Sequence, residues 1–264
     1  MNAQGVKSAQ PQRDVVILTA GGPLAEAVIN TVAAHFHNVA VIQEFGESPG
    51  EIVRRWYRLL GARRAIGQLA FGPLQRLAAF RAQRRRRDIL HQAGLSGIVD
   101  SKIPRRHVPS INSEECRQAL TEFAPRVVLV VGTRMIRTAT LCCIQAPFIN
   151  YHAGLNPRYR GQYGGYWALA RGDVDHAGVT VHLIDAGVDT GATLYAAPFV
   201  MTSTDSIATI HYRQVVVALP LIIQSIGDGL KGTLSPVVSS GPSKQWYHPT
   251  AYEYVKYGFT KGLW

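Results

Sequence analysis

Cysteine is scarce in this chain and badly placed for pairing. Cys116, Cys142 and Cys143 are three in 264 residues, two of them adjacent, and such a set makes no disulfide framework. That excludes the small disulfide-stapled classes and points to a reducing, cytoplasmic setting. Long apolar runs are missing too. No stretch reaches the roughly 18 uninterrupted apolar residues that a spanning helix needs, and polar Gln214 and Gln224 flank the apolar run at Leu219–Ile223. The opening MNAQGVKSAQPQRD lacks the apolar centre of a secretory signal, so residues 1–12 read as a disordered lead-in. No serine or cysteine stands in a nucleophile elbow, and no internal repeat is visible. Acidic residues are scarce in one region. Between Gly50 and Arg106, fourteen Lys and Arg face only Glu51, Asp88 and Asp100, while the rest of the chain carries fourteen of each sign. The whole net charge of +11 therefore belongs to one insertion-like segment.

What is present is enough for a packed core, with 47% hydrophobic residues. Asp14–Ala20 reads as a buried strand, Gly21-Gly22-Pro23 as a turn, Leu24–Phe36 as a helix and Asn38–Phe45 as a second strand. That order opens a parallel α/β sheet. Glu51–Gly94 reads as helical, broken at Gly61, Gly67 and Gly72-Pro73. Asn112 or Ser113 caps a helix through Glu122. Arg126–Val131, Phe148–Asn150, Val179–Ile184 and Ala192–Val200 read as strands, and Asp205–Leu230 as a long helix kinked or divided at Pro220. The expected architecture is an open, mostly parallel Rossmann-like sheet with helices on both faces and a short C-terminal appendage. Its catalytic domain spans residues 13–230, with a basic helical insertion near 50–106 and a tail over 231–264.

Two polar clusters follow apolar strands. In PFINYHAGLNPRYRGQYGGYWAL, Asn150 and His152 leave a strand and meet a glycine-rich loop; in HLIDAGVDTG, Asp185 and Asp189 do the same. Open α/β sheets bind ligands outside strand carboxyl ends. An amide donor, a histidine and a carboxylate brought together suit acyl transfer: fixed donors hold an oxyanion, and an imidazole and a carboxylate move a proton. Taken singly, each residue is as well explained as a turn former.

The ordered pattern resembles the 10-formyltetrahydrofolate-dependent formyltransferases. It comprises Asn150-Tyr151-His152, Leu155-Asn156-Pro157-Arg158-Tyr159-Arg160-Gly161, Gly172-Asp173, Gly178-Val179-Thr180-Val181-His182 and Asp185-Ala186-Gly187-Val188-Asp189-Thr190-Gly191. The resemblance covers roughly Arg126–Gly191. It implies that Asn150 and His152 polarise the formyl carbonyl, while Asp189 holds His152 and relays the amine's proton through water. It also implies that backbone groups of Arg134, Met135, Ile136, Ile184 and Asp185 grip the folate. Gly21, Gly22, Tyr159, Arg160 and Gly161 would meet the acceptor. No metal is expected. The rate should rise with pH as the amine is freed and fall when His152 loses its proton.

The departures bear on the acceptor. Where the family binds a ribose phosphate, its first glycine loop is longer and serine-bearing; here it is Thr19-Ala20-Gly21-Gly22-Pro23, and Pro23 has no amide to offer a phosphate. That argues against glycinamide ribonucleotide. The family's usual serine after the histidine is replaced by Ala153-Gly154. The length leaves too little for the C-terminal barrel of the tRNA-acting enzymes, so the expected acceptor is a nucleotide-linked aminosugar or similar small amine. Glycinamide ribonucleotide formylation, formyltetrahydrofolate hydrolysis and a non-catalytic basic binding module are the alternatives. Arg84–Arg87, within RLAAFRAQRRRR, reads as a solvated helix face or as a contact to an anionic membrane at its inner face, with Ala78, Ala79 and Phe80 anchoring the segment on the core. Nucleic acid is not expected, since no recognised RNA motif accompanies the arginines. The aromatic tail, Trp246 to Trp264, suggests packing or a homodimer rather than ligand stacking.

Overall fold

A computed structural model describes residues 12–264; the expected lead-in therefore lies, except for Gln12, outside the described residues. Strand β1 (Val15–Thr19) is entirely buried. Gly22, at φ 100°, then turns the chain into helix α1 (Pro23–His35). Pro23 suits the first helical position, where no amide partner is needed. Strand β2 (Val39–Glu44) follows. Helix α2 (Pro49–Leu60) starts on a capping box in which Ser48 and Glu51 satisfy each other's backbone amides.

Gly61, at φ 77°, separates α2 from helix α3 (Ala62–Arg81). The expected breaks at Gly67 and Gly72-Pro73 do not occur. Pro73 stays inside α3 on its exposed side, where water can take the carbonyl that its missing amide frees. Helix α4 (Gln83–Gln92) follows. Strand β3 (Arg105–Val108), which polar RRHV did not announce, comes next. Helix α5 (Glu114–Phe123) is capped by Ser113 on the Cys116 amide. Then come strand β4 (Val127–Val131), short helix α6 (Thr138–Leu141), strand β5 (Phe148–His152), the two-residue strand β6 (Arg160–Gly161), helix α7 (Gly164–Ala170), and strands β7 (Gly178–Leu183) and β8 (Thr193–Pro198).

Helix α8 (Ile207–Lys231) runs unbroken through Pro220, which also faces solvent. By length and hydropathy it could cross a membrane, but it packs on β7 and β8 and supplies Val215, Ala218, Ile222 and Ile226 to the core. The tail forms strand β9 (Gln245–Trp246) and helix α9 (Ala251–Lys261).

The main sheet has the order β3-β2-β1-β4-β5-β7-β8. It is parallel through β5, β7 runs antiparallel to both of its neighbours, β5 and β8, and β8 therefore has the direction of β5. One face buries Val15, Ile17, Leu129 and Ile149 with residues of α1 and α8. The other buries Val16, Leu18, Val128 and Phe148 with residues of α5. Both faces of β4 are thereby covered, as its continuous apolar run requires.

Within Arg84–Arg87, two arginines are bound to the body. Arg85 lies 3.6 Å from the buried Asp205 carboxylate, and Arg86 donates to the Ala208 carbonyl at 2.7 Å while its guanidinium covers Tyr212. Ala78 packs inward, but Phe80 is exposed and anchors nothing. The tail packs on the body along one side, while Tyr252 and Phe259 are exposed. Trp246 stacks on Tyr159 and Trp167, and α9 packs on α3 and α7.

Candidate active site

Asn150 and His152 lie within β5, two residues apart, and therefore on one face of the sheet. His182 of β7 is directly opposite Asn150. Because β7 runs antiparallel to β5, its carboxyl end is not beside that of β5, as the sequence pattern suggested. The following loop folds back instead. Leu183 donates to the Ala192 carbonyl, and Gly191 sits so close beneath Leu183 that a Cβ there would come within 1.8 Å of its carbonyl oxygen. This return carries Asp189 over the polar face. Asp189 adopts φ 50°, a left-handed conformation that Asp tolerates better than most residues.

The four side chains form a closed network. The Asn150 amide donates to His182 Nε2 at 3.1 Å and to Asp189 Oδ1 at 3.2 Å. His182 donates through Nδ1 to the Leu183 carbonyl at 2.7 Å. The Gly161 amide donates to Asp189 Oδ2 at 2.9 Å. His152 is buried; its Nε2–H donates to the Tyr159 carbonyl at 2.7 Å, which leaves Nδ1 3.3 Å from Asp189 Oδ2. Gly154 permits that contact, since a Cβ on it would lie 2.3 Å from the Tyr159 oxygen and 2.6 Å from His152 Nε2.

Burial works against a charge on His152 and lowers its pKa, with Asp189 opposing, so the imidazole is neutral at neutral pH with a lone pair on Nδ1. Burial also disfavours ionised Asp189. The two imidazoles and the Gly161 amide outweigh it and bring that carboxyl down to about 2. A neutral base and a carboxylate therefore face each other, ready to share an incoming proton. The expected fall in rate when His152 loses its proton has no basis here, since the proton is already absent.

These groups open into a cavity of about 740 Å³. Arg134, Met135, Ile136, Ile184 and Asp185, expected at the folate, form part of its wall. Buried Glu44 accepts from the Arg134 amide at 2.9 Å and pairs with its guanidinium at 2.6 Å. Ile136 uses neither its N–H nor its C=O in any backbone hydrogen bond among the described residues. Of the residues expected at the acceptor, Gly161 lines the cavity and the others do not. The Gly21 amide turns back onto Thr19 Oγ1 at 2.9 Å, and Gly22 caps α1. Tyr159 directs its hydroxyl to Asp173 at 2.8 Å. Arg160 holds the Val188 carbonyl at 2.7 Å and Ser243 Oγ at 2.9 Å.

A second group of residues lining the cavity was not foreseen. Trp56 and Leu60 of α2, Tyr163, His211 of α8 and His248 before α9 line it. Tyr163 packs against both imidazoles with centroids about 5 Å apart, and α3 supports the group through Gln75 on the Tyr163 hydroxyl and Gln68 on the His248 carbonyl. Burial pushes His211 and His248 down to about 4. No contiguous motif joins these residues. The only sequence signal nearby was Thr250-Ala251-Tyr252-Glu253, a capping-box pattern for α9.

Residues 77–224 match the formyl transferase family. A methionyl-tRNA formyltransferase of Pseudomonas savastanoi is 31% identical over 137 residues, covering 52% of this chain and 43% of that protein; the chain thus spans less than half of that curated relative. Two solved structures share the fold. One is a glycinamide ribonucleotide transformylase of Symbiobacterium toebii (TM-score 0.55, 18% identity, covering 89% of this chain and 95% of that one). The other is an N-formyltransferase of Helicobacter canadensis, in complex with folinic acid and dTDP-3-aminofucose (TM-score 0.55, 16% identity, 89% and 71%).

Proposed function

The chain belongs to the formyl transferase family, and from that premise we propose that it transfers a formyl group from 10-formyltetrahydrofolate directly to a primary amine. The acceptor is a nucleotide-linked aminosugar or a similar small amine. One observation carries this reading: Asn150, His152 and Asp189 meet in one cavity with two unlike sets of lining residues. The folate co-substrate, held along Arg134–Ile136 and Ile184–Asp185, would supply an activated formyl carbonyl.

Asn150 would give up one of its two internal hydrogen bonds to hold the carbonyl oxygen as the amine nitrogen adds to the carbon. His152 Nδ1 would take the proton that the amine loses, and Asp189 would stabilise the resulting imidazolium. Return of the oxygen's electrons then breaks the bond from the formyl carbon to the folate nitrogen, which gains the proton. With Nε2–H spent on the Tyr159 carbonyl, the geometry favours His152 as base over the carbonyl-polarising role implied by the resemblance. The amine must arrive with a lone pair, and ionised Asp189 supports its deprotonation by stabilising protonated His152.

The first glycine loop favours a sugar over glycinamide ribonucleotide, because Pro23 lacks an amide and the Gly21 amide is occupied. The test is incubation with 10-formyltetrahydrofolate and a panel of amines, following both tetrahydrofolate and formylated amine. Formate without formylated amine would identify a hydrolase, and no turnover a binding module.

A further inference from the structure

Helix α3 buries Ala65 and Phe71 on its inner side and carries a second apolar stripe on its outer side. Its inner side carries Gln68 and Gln75, which reach His248 and Tyr163. Its outer side carries Ile66, Leu69, Pro73, Leu77 and Phe80, the i, i+3, i+7, i+11, i+14 positions of one face. Ile66 and Phe80 are largely in solvent, at 66% and 76% exposed, and Leu69 and Leu77 expose nearly half, at 45% and 46%. A helix facing water ordinarily places charges there. The charges stand at the edges instead. Arg63, Arg76 and Arg81 are exposed beside the stripe, and Arg84 and Arg87 continue the rim on α4. Among the described residues none of these five has an acidic partner.

We propose that the outer face of α3, rimmed by these arginines, lies in the plane of an anionic membrane surface. Charge selects that occupant. A second copy of the chain meeting this face would set arginine rim against arginine rim, with Asp88 the sole acid on α3 and α4. RNA would satisfy the guanidiniums and leave the apolar stripe in water. An anionic bilayer satisfies both: the stripe enters the acyl boundary while the arginines stay at headgroup level. The two arginines of the expected contact that hold α8, Arg85 and Arg86, are fixtures; Arg84, Arg87 and the α3 stripe form the contact. This inference is independent of the chemistry proposed above.

The test is sedimentation of the full chain with phosphatidylcholine vesicles, with and without phosphatidylglycerol. The wild type should partition to the anionic vesicles and about tenfold less to neutral ones. The double variant Leu69→Glu/Phe80→Glu should lose about tenfold or more in partitioning, with the far-ultraviolet spectrum and solution turnover unchanged. As a fold-neutral check, Phe80→Trp should gain fluorescence that brominated acyl chains quench. Three outcomes would overturn the proposal: wild-type protein left in the supernatant, equal sedimentation of the double variant, or no quenching of the new tryptophan. Dimerisation abolished by Leu69→Glu/Phe80→Glu, without vesicle binding, would assign the stripe to a second copy instead.

Discussion

The two walls of the cavity are built on different principles. The wall at Arg134–Ile136 and Ile184–Asp185 consists of loops leaving sheet strands, in which Glu44 holds the Arg134 amide, the Phe148 carbonyl holds the Ile184 amide, and Ile136 makes no backbone hydrogen bond among the described residues. The other wall consists of side chains, Trp56, Tyr163, His211 and His248, collected from α2, the start of α7, α8 and the tail. Main-chain groups recognise a constant ligand whatever the side chains do. A wall of side chains can be retuned by substitution, and it suits the partner that differs between relatives. The reacting groups line the same cavity, and each of these two sets of residues is a separate target for substitution.

The largest effect should come from the reacting groups. Asn150→Ala is expected to lower turnover about 10²–10³-fold, the usual loss for one oxyanion donor. Asp189→Ala should lose at least as much with every acceptor, and the combined variant should fall far short of the product of the two. Stopped-assay kinetics with two unlike amines would check this. Next comes the main-chain wall. Glu44→Ala leaves the buried Ile111 amide and the Arg134 amide without their acceptor, which costs about 1–3 kcal/mol of stability, readable in denaturant unfolding. The folate KM should rise in whatever folds. The side-chain wall should show the converse. Trp56→Ala or His211→Ala should raise the acceptor KM about tenfold and leave the folate KM unchanged; equal shifts in both would erase the distinction between the walls.

A further effect concerns pH and stability. His211 and His248 have folded pKa values lowered from 6.5 to about 4. The neutral forms are therefore favoured by folding. That contribution is complete above pH 6.5 and is lost as pH falls toward 4, by about 1–3 kcal/mol for each group. Unfolding midpoints measured across that window should drop in the wild type, and His211→Gln with His248→Gln should flatten the curve. Activity follows the same sign at His152. Because its pKa is lowered, kcat/KM should rise with pH as His152 and the amine deprotonate, then reach a plateau without an alkaline limb from His152.

How far each region was legible in the sequence follows from what builds it. β1, β2 and β4 are buried apolar runs in a sheet interior, and local composition announces such strands. Asn150, His152 and Asp189 belong to contiguous motifs, so their pattern survived in sequence even though the strand direction of β7 did not. β3 is an edge strand of RRHV whose pairing depends on β2, and nothing local marks it. Gly67, Gly72 and Pro73 were misleading because α3, packed on α8 and α9, continues unbroken through them. The side-chain wall was illegible for a deeper reason. Its residues are separated by up to 192 positions, Trp56 to His248, and only the fold gives them a common neighbour.

The most direct measurement is a single-turnover transfer from isotopically labelled 10-formyltetrahydrofolate to an aminosugar nucleotide, run with the wild type and Asn150→Ala after folate binding has been matched. The wild type should place the labelled formyl group on the amine nitrogen, and Asn150→Ala should bind folate yet transfer about 10²–10³-fold more slowly. Label recovered only as formate, or transfer by Asn150→Ala at the wild-type rate, would contradict the assignment of this cavity to formyl transfer.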